Sequence, residues 1–458
     1  MQVFYPTGIP VADTLFSGIQ ADLRFQVAFE YPFTNALTGI PENRPLYTFS
    51  GANFVKYDSG TWDGAIGYII SDILDHGQWV PAFSKFGLWT CVEGPSSVAN
   101  LIPYQRNSSS FIQRYGGAIT STGSQIANYG GASDIASTAT SVTGFNSAQT
   151  GSSTYFAPCM LLVETDSRSQ CVGVIGDSLA YGVGEGVAGS STSGDALGDA
   201  NNNSGFISRG LYAAGLNYIN LGRGSDRLEY LATAANWKYR RQLLQLAKPT
   251  HIIQENGVND LTQTTMPGNW AATTAYAKYQ TVIAGGARVY MCTQAGTSGS
   301  SVPTGTGFGI VDGTAVWVYL RAYIADAARA MYRFAYLSNL VDQIRAAVPE
   351  ARVYGSLITP NATSTDAFAT TVNQTPASGW GGSATRRGYF NDQLRTDPNS
   401  VLRLAGLIDP NVYLEDGYPT ETSKWVVNGS ANYATLDGTH PNSVAAALAA
   451  AAISSDQF

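Results

Sequence analysis

Charge is scarce in this 458-residue chain: Asp, Glu, Lys and Arg together make up 13% of it, and the formal net charge is −7. Such a chain has no basic field with which to hold a phosphate backbone, so nucleic acid is not an expected partner. Long apolar runs are missing as well. No stretch approaches the roughly twenty residues that a membrane-spanning helix needs, so no membrane partner is expected either. The start, Met1-Gln2-Val3-Phe4-Tyr5-Pro6, lacks the charged-then-apolar pattern of a secretory signal. An extracellular or virion-associated setting is expected, with a cytoplasmic one left open. Cysteine is limited to Cys91, Cys159, Cys171 and Cys292, none at metal-ligand spacing, so no metal is expected. Cys159 and Cys171 are either a disulfide or two buried thiols. Histidine occurs three times, at His76, His251 and His440, so any imidazole base comes from these.

Gly, Ser, Thr, Asn and Tyr are plentiful instead, a balance that suits strands, turns and ordered loops. The length implies more than one unit. Residues 1–165 carry short alternating runs such as Leu46-Tyr47-Thr48-Phe49 and Leu88-Trp89-Thr90-Cys91-Val92, which predict a β-rich accessory domain, sandwich or jelly roll. His76 reads there as a turn or surface residue, and Ile119–Ser153 as a low-complexity loop. From residue 169 to 458 the period changes. Val172–Ile175, Tyr218–Leu221, His251–Gln254 and Val353–Ile358 read as strands buried on both faces, which a parallel sheet requires. Ala322–Val348 repeats apolar residues every three or four positions (Ile324, Ala328, Met331, Phe334, Leu337, Val341, Ile344, Val348) and predicts an amphipathic helix ending before Pro349. Alternating strands and helices predict an α/β fold, a doubly wound parallel sheet between two helical layers. Residues 268–321 interrupt this alternation and read as a small β module.

The chemistry concentrates at strand ends. The apolar run Val172–Ile175 leads into Gly176-Asp177-Ser178, which sets a serine on a tight turn. A serine hydroxyl is a poor nucleophile until a base takes its proton, and histidine suits that task near neutral pH. Leu436-Asp437-Gly438-Thr439-His440-Pro441 places a carboxylate three residues before a histidine, able to orient the ring. His251 opens a strand at the end away from the crevice and reads as structural. Asn220-Leu221-Gly222-Arg223-Gly224 and Gly257-Val258-Asn259-Asp260 follow two further strands, and in an open parallel sheet such ends line one crevice.

These segments, in this order, resemble the SGNH hydrolases, also called the GDSL esterase and lipase family. The resemblance covers about residues 169–453, less the insert. It implies a flavodoxin-like α/β/α fold and a catalytic triad of Ser178, Asp437 and His440. It further implies an oxyanion hole made by the backbone N–H of Ser178, a backbone N–H at Gly224 and the side-chain amide of Asn259, with no cofactor. The family often spaces its glycine five residues after the asparagine, which from Asn220 is Ser225, so the second donor is Gly224 or Ser225, with Gly224 preferred. Asp177 and Asp260 are expected to tie the turns by hydrogen bonds to nearby backbone.

The insert, with Trp270, Tyr276, Tyr290 and Trp317, resembles chitin-binding-type carbohydrate modules and related units of phage tail proteins. That resemblance implies sugar-stacking aromatics; the alternative is a plain β insertion whose aromatics fill its own small core. Three other patterns are set aside. Gly184–Gly189 matches a dinucleotide fingerprint but does not open a helix. Asp199–Ser204 resembles a calcium loop without its glycine and glutamate, and the Gly-x-Ser-x-Gly elbow of α/β-hydrolases is absent around Ser178. The function expected is a carbohydrate O-acetylesterase acting on an acylated polysaccharide or glycoside. The rivals are a lipase or thioesterase for longer acyl chains and a phage tail or adhesion protein that binds glycan, and oligomeric state stays open.

Overall fold

The computed structural model describes residues 170–185, 203–397 and 399–458, together with Tyr47, residues 71–73 and separate strand segments between Gln2 and Leu162. The chain divides into two compact units: Met1–Ser169 with Ala200–Asn202 and Lys238–Leu243, and Gln170–Asp199, Asn203–Trp237 and Leu244–Phe458. In the first unit every recorded strand pairing is antiparallel. Gln2–Pro6 lies between Tyr68–Ile70 and Met160–Leu162, and Leu23–Glu30 between Val55–Tyr57 and Gly87–Glu93. Leu88–Val92 thus falls in a strand. His76, Cys159 and Ile119–Ser153 lie outside the described residues, as do most of the Gly184–Gly189 and Asp199–Ser204 segments.

The second unit is built on five parallel strands: β1 Cys171–Gly176, β2 Asn217–Asn220, β3 His251–Glu255, β4 Arg352–Ser356 and β5 Gly406–Ile408. Their order across the sheet is β2-β1-β3-β4-β5. This is the flavodoxin-like order, in which the chain reverses direction across the sheet on either side of β1 and opens a crevice beside β1 and β3. The predicted strands agree with β1 to β4 within two residues. β5 has only three residues, too few to show a period. The helices are α1 Ser178–Tyr181, α2 Gly205–Ala213, α3 Leu228–Leu231, α4 Lys238–Ala247, α5 Val258–Leu261, α6 Ala325–Ala347, α7 Arg386–Thr396, α8 Asn411–Leu414 and α9 Ser443–Ala449.

Val172, Val174, Ile252 and Ile253 are wholly buried because helices cover both faces of the sheet. One core cluster joins β1, α2, α9 and the segment around Trp425. Gly173 leaves room for its neighbours: a Cβ there would lie 2.7 Å from Ile252 Cδ1. The predicted long helix forms as α6 and ends at Ala347, just before Pro349. It is buried around more of its circumference than an amphipathic stripe would be, with Ala327, Arg333, Ala335 and Leu340 covered as well. The cause is that α3, α5, α7 and strands of the insert all pack against it. Ile324, expected in the core, precedes α6 and is 55% exposed.

The insert folds as a sheet of Gly268–Asn269, Thr281–Ala284, Arg288–Gln294, Ala315–Ala322 and Ile310–Asp312, in that spatial order. Its aromatics point inward. Tyr276, Tyr290 and Trp317 are buried with Cys292 and Ala315, Trp270 packs against them, and Tyr276 meets Trp317 edge to face at 4.9 Å. The stacking faces expected for sugar are therefore not presented at Tyr276, Tyr290 or Trp317, because these rings supply the apolar volume that so small a sheet needs to hold together. Asp312 fastens this core: its Oδ2 accepts the indole N–H of Trp270 (2.8 Å) and of Trp317 (3.1 Å), and its Oδ1 accepts the N–H of Gly299 (2.7 Å). The module is fixed to the hydrolase helices by Tyr279 and Lys278 on Asp342 of α6 and by Arg321 on Asp392 of α7.

Asp312→Ala would leave three donors in or beside the core without an acceptor, at about 1–3 kcal/mol for each buried one. Hydrogen exchange over residues 268–322 should accelerate by at least about tenfold in this variant while β1 and β3 keep their protection. Unchanged exchange in the module would show that Asp312 does not hold it.

Candidate active site

The turn after β1 carries Ser178 at the start of α1, and the backbone there is governed by two carboxylates. Asp177 caps the helix, its Oδ1 accepting the N–H of Leu179 at 3.0 Å. Glu255, the last residue of β3, accepts at Oε2 from the N–H of Asp177 (3.3 Å) and of Ala180 (3.2 Å). Tyr181 N–H closes the turn on the Asp177 carbonyl at 3.0 Å. From Asp177 to Tyr181 only the Ser178 N–H has no acceptor among the described residues. It is left for a ligand.

His440 reaches Ser178 from the far end of the sequence. Its Nε2 lies 2.9 Å from Ser178 Oγ, and its Nδ1 lies 2.7 Å from Asp437 Oδ2. Asp437 holds the loop as well as the ring, because its Oδ1 accepts the N–H of Thr439 (2.9 Å) and of His440 (2.8 Å). Against the cost of its partial burial, hydrogen bonds from the His440 ring and these backbone groups hold the Asp437 carboxyl down at about 2. The aspartate is ionised at any pH where an esterase works. The sequence Asp-Gly-Thr-His folds this way because Gly438 takes φ 79° and passes so close to Ala362 that a Cβ would sit 1.7 Å from the Ala362 carbonyl oxygen. Its own carbonyl accepts from Ala362 N–H (3.0 Å) and Trp425 Nε1 (2.8 Å). Asn442 then caps α9, accepting from Val444 and Ala445 at 3.0 Å.

The second motif turn is anchored by Asn220. Its Oδ1 accepts the Gly222 N–H (2.9 Å), and its amide donates to the Ala180 carbonyl (2.7 Å) and to Ser208 Oγ (2.9 Å). Arg223 N–H is bonded to the Gly176 carbonyl (2.9 Å) and Asp226 N–H to the Arg223 carbonyl (3.2 Å). The N–H groups of Gly224 and Ser225 alone in this turn have no acceptor among the described residues. The left-handed backbone lies at Ser225, with φ 63°, not at Gly224. That is the conformation a glycine takes at no steric cost, and it falls five residues after Asn220. The two N–H groups stand side by side in the turn, and the second donor is Gly224 or Ser225.

Asn259, in the first turn of α5, donates from Nδ2 to the Asp226 carbonyl (3.0 Å) and over a long 3.4 Å to Asp177 Oδ2. The amide thus sits between the two other donor turns. Asp260 faces away, accepting from Leu228 (2.8 Å) and Glu229 (3.2 Å) at the start of α3, and burial raises its carboxyl to about 6. His251 stands at the opposite end of β3, with its ring edge-on to Phe458 at 5.4 Å and Nδ1 2.9 Å from Thr250 Oγ1. Cys171, beside it at the start of β1, is a free thiol that burial pushes up to about 11.

Two features were not found from the sequence. Glu255 reads as the tail of an apolar strand, and nothing local shows that its carboxylate turns under α1. Glu185 and Arg209 form a buried ion pair at 2.5 Å, and Arg209 also donates to Ser443 Oγ at 3.1 Å. That pair ties the segment after α1 to the helix following His440. Beside it Gly184, at φ 97°, abuts the histidine: a Cβ there would lie 2.5 Å from His440 Cβ. Among the described residues no group of three or more His, Cys, Asp or Glu is placed to hold a metal ion.

The search of the curated proteins found no match. The chain is also similar, at a distance, to solved structures. A possible lipase from Chitinophaga pinensis is 16% identical, covering 62% of this chain and 95% of its own, with a TM-score of 0.31. A family 3 carbohydrate esterase from Clostridium thermocellum is 13% identical, covering 62% and 93%, at 0.29. A carbohydrate esterase family 2 enzyme with its carbohydrate binding domain, from Corynascus thermopiles (Myceliophthora fergusii), is 12% identical, covering 98% and 90%, at 0.31. At such distances these likenesses say nothing about the substrate. Residues 172–453, which begin in β1 and end just past α9, match the GDSL-like lipase/acylhydrolase family, and the chain belongs to that family of ester-hydrolysing enzymes.

Proposed function

We propose that the chain is a serine esterase in which Ser178 is the nucleophile, His440 the general base and acid, and Asp437 the group that orients the ring. The observation that carries this reading is the unbroken chain from Ser178 Oγ to His440 Nε2 (2.9 Å) and from His440 Nδ1 to Asp437 Oδ2 (2.7 Å). His440 takes the hydroxyl proton as Oγ attacks the ester carbonyl, and the imidazolium formed is stabilised by Asp437. The tetrahedral oxyanion then receives the spare N–H of Ser178, the N–H of Ser225 or Gly224, and the Asn259 amide once it gives up its long contact to Asp177. Each such donor is worth about 2.7–4 kcal/mol when fixed in advance. His440 returns the proton to the alcohol, an acyl-enzyme forms, and water releases the acid by the same steps.

For the substrate we propose a short acyl ester, an acetate, on a carbohydrate hydroxyl. The stretch leaving Asn259 supports this, since Thr262, Thr264 and Thr265 are exposed and Gln263 follows Asn259 closely. Hydroxyls and amides on that rim suit a sugar better than a long acyl chain. The module at residues 268–322 enters the reading as a packing element, its buried aromatics leaving no stacking platform at Tyr276, Tyr290 or Trp317.

Hydrolysis of p-nitrophenyl acetate, butyrate and octanoate separates the acyl classes, and acetate should be preferred. Octanoate as the best substrate would move the reading to a lipase or thioesterase. Ser178→Ala and His440→Ala should each lower kcat by about four to six orders of magnitude with the fold retained by circular dichroism. An Asp437→Asn variant should lose about four orders. Full activity of that variant would remove Asp437 from the mechanism.

A further inference from the structure

We propose that Glu255 is a positioning residue for the nucleophile, holding the turn of Ser178 from beneath by accepting the backbone N–H groups on either side of it. The inference rests on Ser178 being the nucleophile. Its own ground is geometric. Glu255 Oε2 takes the N–H groups of Asp177 and Ala180, on either side of Ser178-Leu179, at 3.3 and 3.2 Å. Asp177 takes that of Leu179 at 3.0 Å. Together the two carboxyls occupy the donors around Ser178 and leave its N–H as the one free to meet an oxyanion. The fit is close: a Cβ on Gly176 would lie 2.9 Å from Glu255 Oε2 and 2.3 Å from Ala180 Cβ. Glycine before Asp177 is what admits the carboxylate under the turn.

Both carboxyls are buried, at 0% and 2% exposure. Burial raises Glu255 to about 8, and burial together with the Glu255 charge raises Asp177. Asp226, after β2, and Asp260, on α5, add negative field at Asp177, and Arg333 of α6 acts on Asp260.

The buried Glu255 carboxyl also links stability to pH. The unfolded Glu255 ionises near its ordinary 4.5, while the folded one keeps its proton to about 8. Its contribution to stability is full below about 4.5 and is lost as pH rises toward 8.

The test is kcat and KM for p-nitrophenyl acetate from pH 5 to 10 in the wild type, Glu255→Gln, Glu255→Leu and Ser178→Ala. A glutamine keeps an oxygen for the two N–H groups; a leucine does not. Glu255→Leu should lower kcat about 100-fold with little change in KM, the cost of a misplaced nucleophile. Glu255→Gln should restore most of that loss. Its melting temperature should also decline less between pH 5 and 8 than that of the wild type. A Glu255→Gln variant as slow as Glu255→Leu, or a Glu255→Leu variant with wild-type kcat, overturns the proposal. If Glu255→Leu does not fold, Glu255→Met, of similar length and without the acceptor, takes its place with the same two outcomes. Ser178→Ala separates the two levels: activity retained there overturns the nucleophile assignment, and activity lost there confines any failure to Glu255.

Discussion

Everything at the active site depends on the last rung of hydrogen bonding between β1 and β3. The two strands run parallel from Val172 beside His251 to Gly176 beside Glu255, and there the sheet stops carrying the chain. β1 turns into the nucleophile helix and β3 into the Asn259 turn, on the two sides of the point where the strand order reverses. Because parallel strands end together, three turns separated by about forty residues each arrive at one crevice. The fourth participant, the histidine loop, comes from outside the sheet. Gly438 and Asn442 bring it in, one by the close approach of its backbone to Ala362 and the other by capping α9 with its side-chain oxygen.

Much of this was legible in the sequence, and the reason is physical. A strand buried on both faces has to be a short apolar run, and a turn bearing a nucleophile has to be small and polar, so Val172–Ser178 shows its role in one line of residues. Asp437 and His440 are adjacent enough to declare themselves. The α6 helix also shows its register in the sequence, although its burial all round does not follow from a stripe, since the packing of α3, α5, α7 and the insert on it is a tertiary event. β5 was too short to carry a pattern.

The aromatics of the insert show the limit of the sequence. Spacing along a strand does not say which face of a small sheet is the inside, and here the inside holds Tyr276, Tyr290 and Trp317. Between Gly224 and Ser225 the left-handed backbone falls at the serine, a local bend that composition does not show. Glu255 and the Glu185–Arg209 pair could not be read, because their partners lie some twenty to eighty residues away and only the completed fold brings them together.

Gly184 bears on how this enzyme could be re-engineered. The residues just after α1 are the surface against which the general base rests, with no space for even a methyl group between Gly184 and His440. A library aimed at new substrates would have to keep that glycine as a fixed post, or it would alter the catalyst while meaning to alter the fit.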